Sequence, residues 1–85
     1  LGSRGNTPLH TACEYGNVEV TKELLLRNAP VNARDNLGRT PLHLALSSRR
    51  PLEVVRLLFG ARVDVNTKDF EGTTPLHMAV KKRQV

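Results

Sequence analysis

The string Thr-Pro-Leu-His occurs three times in 85 residues, at 7–10, 40–43 and 74–77, with spacings of 33 and 34 residues. An alanine follows each copy at the same offset (Ala12, Ala45, Ala79), and a glycine precedes each by two residues (Gly5, Gly38, Gly72). Val18-Glu19-Val20 matches Leu52-Glu53-Val54, Val31-Asn32 matches Val65-Asn66, and Asp35 and Asp69 stand three residues ahead of the later two glycines. Agreement at so many offsets is the mark of a repeated structural unit. A unit of this size cannot bury its apolar face alone, so successive units must stack. That excludes a globule in which each segment plays a unique part.

One unit can be built from elementary rules. Thr40 supplies a side-chain oxygen at a helix N-cap, and Pro41 suits the first helical turn, where its missing N–H is not needed. Leu42, Ala45 and Leu46 then share a helical face, and the small alanine lets a neighbouring helix come close. In the first unit Gly16 ends this helix and Asn17 caps the next. The second helix is expected to turn Val20, Leu24 and Leu25 inward and Glu19, Lys22 and Arg27 outward. Residues 31–38 read as extended chain entering a turn, with Gly38 free to take a positive φ. Helix-on-helix packing of Leu, Val and Ala suits a chain with 39% hydrophobic residues but no Trp, one Tyr and two Phe.

At these residues the chain resembles the ankyrin repeat family, whose unit of about 33 residues carries T-P-L-H-x-A. The resemblance covers residues 4–85. It implies an all-α repeat solenoid, a stack of helix-turn-helix units with β-turn or hairpin fingers. Residues 1–5 are then a remnant or partial finger, 6–38 the first repeat, 39–72 the second, and 73–85 a partial third with its first helix only. Departures from the family pattern matter. Ser47-Ser48-Arg49-Arg50-Pro51 replaces Glu14-Tyr15-Gly16-Asn17, adding one residue and losing the glycine, so Pro51 is expected to open the second helix there. The family usually places Gly near the end of that helix. Asn28 fills the place, Arg62 does not suit it, and Gly60 stands two residues early, so an altered helix end is expected over 60–63. With one helix in the third unit, Leu76, Ala79 and Val80 lack full cover, which implies a piece of a longer array.

Catalytic and metal chemistry find little support. His10, His43 and His77 occupy equivalent places, so their rings step along the stack roughly 8–10 Å apart, whereas zinc needs nitrogens converging to about 2 Å. Each histidine is instead expected to hydrogen-bond the threonine of its motif and a finger. Cys13 aligns with Leu46 and Val80, a core place, and reads as an inert thiol. Phosphate-binding glycine loops, nucleophile elbows and zinc-ligand spacings are absent from the sequence, and Glu19 and Glu23 belong to a solvated face. The reading is therefore not an enzyme, with no cofactor and no metal.

A binding role has a better basis. In ankyrin arrays the fingers and first helices form a concave surface, which implies candidate contacts where the copies differ. These are Ser3, Arg4, Asn6, Glu14 and Tyr15 in the first unit, then Arg34, Asn36, Leu37, Arg39, Ser47 and Ser48 in the second. The third contributes Lys68, Phe70, Glu71, Thr73, Lys81 and Lys82. Leu37 and Phe70 are apolar residues at finger tips, either anchors for a partner or packed on the adjacent finger. Tyr15 suits an interface or a groove floor. Thirteen Lys and Arg against eight Asp and Glu give a net charge of +5, so a protein or peptide partner of acidic character is expected. A nucleic-acid-associated regulator is the alternative of another class, weakened by the lack of aromatics interleaved with the basic residues. An architectural spacer within a longer array is the third. A single cysteine argues for a reducing, intracellular setting, cytoplasmic or nuclear, and no apolar run approaches the roughly 18 residues of a membrane helix. Hydroxylation of a turn asparagine is a modification known in the family. Asp64-Val65-Asn66 resembles such sites more than Pro30-Val31-Asn32 does, although a plain turn hydrogen bond is the favoured role of Asn66.

Overall fold

The computed structural model describes residues 5–48 and 51–83, the side chains of residues 81–83 excepted. Five helices follow one another among these residues: α1 (Pro8–Glu14), α2 (Val18–Leu26), α3 (Pro41–Ser47), α4 (Pro51–Gly60) and α5 (Pro75–Arg83). The helices α1, α3 and α5 stack as an inner row, and α2 and α4 form an outer row against them. There is no β-strand among the described residues, so the fingers are turns rather than hairpins with paired strands.

The Thr-Pro-Leu-His motif starts each inner helix by the same device. Thr40 is in extended conformation, its Oγ1 accepts the His43 backbone N–H (3.4 Å), and His43 Nδ1 accepts the Thr40 N–H (3.1 Å). Thr7 and His10 repeat this reciprocal pair, as do Thr74 and His77. Histidine thus plays the part usually taken by Glu in a capping box. Asn17 caps α2 by accepting the Val20 N–H (3.1 Å), and Gly16 precedes it at φ +66°, as the sequence requires. Pro51 opens α4, also as expected.

Leu9, Cys13, Leu42, Ala45, Val54 and Leu58 form the buried core, with Val18, Leu24, Leu25 and Leu46 half-buried against it. The expected inward face of α2 needs one correction: Val20 is 44% exposed, and Thr21 is the fully buried residue of that helix. The reason lies in its position in the stack. Val54, the counterpart of Val20, is fully buried in a helix that has α2 beside it, whereas no described element lies on the other side of α2.

The helix ends bring a second correction. Arg62 takes the left-handed conformation that Asn28 takes, both at φ +62°, and Gly60 remains helical. The two ends close with the same bonds. Ala29 N–H donates to Leu24 O (3.0 Å) and Val63 N–H to Leu58 O (3.2 Å), while Asn28 and Arg62 donate to Leu25 O and Phe59 O. That is the paired bonding of a Schellman end, and the capping bonds with the burial of Leu58 and Val63 outweigh the poor fit of arginine. A left-handed L-residue costs roughly 1–2 kcal/mol. Arg62→Gly should therefore raise stability by about 1 kcal/mol, read as a higher urea midpoint at unchanged slope. A lower midpoint would refute the strained cap.

Candidate functional site

Each finger is organised by one aspartate. Asp35 Oδ1 accepts the N–H groups of Leu37 (2.9 Å) and Arg39 (2.8 Å), and its Oδ2 takes the Arg39 guanidinium Nε–H at 2.9 Å. The carboxylate is nearly inaccessible, with the Arg39 side chain 25% exposed. Burial pushes the Asp35 carboxyl upward, but the two N–H groups and the guanidinium outweigh it and hold the group below its ordinary value. In the second finger Asp69 Oδ1 accepts from Glu71 (2.9 Å) and Thr73 (2.8 Å). Thr73 replaces Arg39 there, and among the described residues no guanidinium completes the set.

The two fingers are joined. Phe70 N–H donates to Leu37 O at 2.9 Å. The Arg34 guanidinium donates to Gly38 O and Lys68 O and lies 5.3 Å from the centroid of the Phe70 ring. The ring crosses Gly38 so closely that a Cβ there would stand 2.5 Å from Phe70 Cδ1, and Gly38 has φ +78°. Gly38 therefore serves the turn and the contact at once. The histidines tie fingers to helices: His10 Nε2–H donates to Arg39 O (2.8 Å) and His43 Nε2–H to Thr73 O (2.9 Å). With Nδ1 accepting the motif threonine's N–H, each of these rings is a neutral imidazole carrying its proton on Nε2, and both nitrogens are used. Among the described residues no three His, Cys, Asp or Glu side chains are placed to hold a metal ion.

Beside the fingers runs a groove of about 510 Å³, and it brings together Glu14, Tyr15, Arg39, Ser47 and Ser48 with Leu44. These five come from three separate stretches of sequence and line one surface depression. Their roles divide. Tyr15, at the end of α1, is 77% exposed. Ser47 Oγ–H donates to His43 O (2.9 Å) and Ser48 Oγ–H to Ala45 O (2.7 Å). Ser48 is buried and closes the end of α3 in place of the missing glycine.

Other candidate contacts divide between surface and scaffold. Leu37 (58%) and Phe70 (70%) stand out from the finger tips, with the Phe70 ring in contact with Gly38 and Arg34 and still largely exposed. Lys68, Glu71 and Asn36 are exposed, whereas Asn6 and Thr73 are half-buried. Two expected contacts have to be reassigned. Arg34 and Arg39 spend their guanidinium bonds on the fingers themselves, so less of their charge is available to a partner. Ser3 and Arg4 and the side chains of Lys81 and Lys82 lie outside the described residues. Cys13 is buried, and desolvation pushes its thiol up to about 12; the nearby Thr21 hydroxyl, outside hydrogen-bonding geometry, does little to offset this. A thiol so placed is no nucleophile. At the second turn, Asn66 N–H donates to Asp64 Oδ1 (2.8 Å), the plain turn bond expected of it, and Asn32 Oδ1 accepts the Asp64 N–H.

Sequence reasoning missed the clasp between fingers and the Asp35–Arg39 pair within it, since these residues flank a turn, where the i, i+4 rule of helix faces gives no signal. It could not see that Arg34 reaches across to the next unit, because nothing local specifies a contact 34 residues away.

Comparison with known proteins agrees with the geometry. Rabankyrin-5 of Homo sapiens is 46% identical over 54 residues, which is 64% of this chain and 4% of that protein. Neurogenic locus notch homolog protein 1 of Homo sapiens is 48% identical over 44 residues, 52% of this chain and 2% of the relative. A Rickettsia bellii protein named for its ankyrin repeats is 47% identical over 53 residues, 62% of this chain and 22% of its own length. The chain thus spans only a small part of each of these relatives. The family model described as Ankyrin repeats (3 copies) matches residues 1–69, and with its stacked helix pairs, capped motifs and turn fingers this chain belongs to the ankyrin repeat family.

Proposed function

We propose that the chain is a non-catalytic interaction module that binds another protein through its finger tips and the groove beside its inner helices. Ankyrin repeats in general are protein-interaction modules, which supports the coarse reading. The finer one rests on a single observation: Tyr15 lines the groove, Leu37 and Phe70 stand on the finger tips, and all three are large and more than half exposed. Aromatic and aliphatic side chains in that situation are the usual anchors of a protein interface. The partner is of acidic character, supported by the net charge of +5 and the exposed Lys68. The electrostatic share is smaller than composition alone implies, since Arg39 is already paired with Asp35. Membership of a longer array is part of the reading, supported by relatives that extend far beyond the matched region. An intracellular setting, cytoplasmic or nuclear, is supported by the lone thiol of Cys13.

The test is quantitative binding of a captured partner. Leu37→Ser removes an exposed side chain without touching the finger's internal bonds, and should weaken binding about tenfold or more, the threshold of an anchor residue at about 1.4 kcal/mol. Lys22→Ala, on α2, should leave binding unchanged. Equal affinities for both variants would overturn the finger-tip reading. Lys68→Glu across a salt series tests the charge, and retention on DNA in place of a protein would favour the nucleic-acid alternative.

A further inference from the structure

Leu26 and Gly60 hold the same offset in successive units, the first on α2 and the second on α4. Gly60 closes α4 without a positive φ, and a Cβ built on it would meet no atom within 4 Å. Neither backbone nor packing therefore asks for glycine there, although only proline is a poorer helix former. A local rule broken with no structural return is where function is to be sought. The space beside Gly60 belongs to an apolar groove of about 430 Å³ between the outer helices, lined by Lys22, Leu25, Leu26, Leu57, Gly60 and Ala61. It shares no residue with the groove beside the fingers.

The lining specifies the chemistry of the occupant. Leu25 and Leu57 are half-buried and Leu26 is 79% exposed, so the walls are aliphatic. Lys22 is the one charged residue lining the groove. It is exposed, and among the described residues it forms no ion pair, its neighbour Glu23 being held by Arg27 at 2.8 Å. Lys22 stands about 6 Å along α2 from Leu26, one helical turn, and Gly60 holds the place of Leu26 on the adjacent helix. An occupant that satisfies both ends buries an aliphatic side chain at Gly60 and sets a carboxylate against Lys22 one turn away. A helix with Glu and Leu at i and i+4 does this. A second copy of the chain fits poorly, because its own face here carries a lysine and no carboxylate, and both copies carry +5. We propose that the outer face of α2 and α4 is a docking site for an amphipathic partner helix with an acidic residue and a leucine one turn apart. Gly60 serves it by the room it leaves, and the site is separate from the finger-tip contact.

The probe is a capped, alanine-rich helical peptide with Glu and Leu at i and i+4, added to the full chain. Saturable methyl shifts are expected at Leu25, Leu26, Leu57 and Ala61. Exchanging the peptide's leucine for alanine should weaken binding about tenfold or more. Exchanging its glutamate for lysine should weaken it about fivefold at low salt, a difference that fades as salt is raised. In the chain, Gly60→Leu gives α4 the side chain that α2 already has. It should abolish peptide binding while the urea midpoint stays level or rises. Lys22→Glu should reverse the preference, so that the lysine peptide binds better than the glutamate peptide. Undiminished binding to Gly60→Leu, or a lowered midpoint showing that folding needs the glycine, would overturn the proposal. Self-association that Gly60→Leu abolishes would overturn it in favour of a second copy. Recruitment to anionic phospholipid vesicles with no response to the peptides would overturn it in favour of a membrane. Leu37→Ser should leave peptide binding intact, so the finger-tip reading and this one fail separately.

Discussion

Replacing His43 by alanine should cost about 3–5 kcal/mol, a large share of the stability of a domain this small. The ring is fully buried and bonded at both ends. Nδ1 accepts the Thr40 N–H at 3.1 Å and meets Thr40 Oγ1 at 2.9 Å, while Nε2–H donates to Thr73 O at 2.9 Å. Removing it leaves the buried Thr40 N–H without this partner, at about 1–3 kcal/mol for a buried group so orphaned, while the half-buried Thr73 carbonyl loses one of two bonds and keeps the Asp69 N–H at 2.9 Å. The void of an imidazole adds a cavity term. It also cuts the tie between α3 and the second finger, so neighbouring units should uncouple. The same motif provides the control. His77 is exposed, and among the described residues its ring keeps only the bonds to Thr74. His77→Ala should cost about 1 kcal/mol, the value of a cap. Chemical denaturation of both variants reads the difference directly. Similar losses would mean that the motif acts only as a helix start, and that the bond to the next finger contributes nothing.

That contrast also explains how much of the molecule could be read in advance. Local rules were enough wherever the cause is local. Thr40 and Pro41 start a helix whatever surrounds them, Asn17 caps α2, and Gly38 supplies a positive φ because its turn demands one. Repetition then carried the architecture, since three copies of one motif at one spacing admit only a stack. Failures came where a neighbour decides. Val20 and Val54 occupy the same place in their units, yet one is exposed and the other buried, because burial depends on the unit alongside. Arg62 follows the bonding of its repeat rather than its own preference. In the candidate site, sequence comparison marked the variable surface but could not separate residues offered to solvent from those engaged by the scaffold. Leu37 and Tyr15 proved exposed. Arg34 and Arg39 proved to be fastenings, and Ser48 a buried cap, because their partners lie across a finger, across units, or on the backbone of their own helix.

The second large effect belongs to Asp35, and it has a pH dependence with a definite sign. Asp35→Ala deletes three charge-assisted bonds, two from backbone N–H groups and one from the Arg39 guanidinium. It leaves Arg39 half-shielded without its counter-charge, and should destabilise by about 2–4 kcal/mol at neutral pH. Since the folded-state carboxyl is held below its ordinary value, ionisation is favoured more in the folded chain than in the unfolded one. Its contribution is therefore complete above the ordinary Asp range near 4. It shrinks as pH falls through that range and is gone once the pH passes below the lowered folded value. Denaturation of the native chain should show this acid loss, whereas Asp35→Ala should lack that part of it, so the gap between the two narrows on acidification. Asp69→Ala is the internal comparison: its carboxylate accepts two N–H bonds but has Thr73 where the first finger has Arg39, so its loss should be smaller. A gap that stays constant from pH 7 to pH 3 would show that Asp35 holds its finger by shape and not by charge, and Arg39 would then return to the set of residues available to a partner.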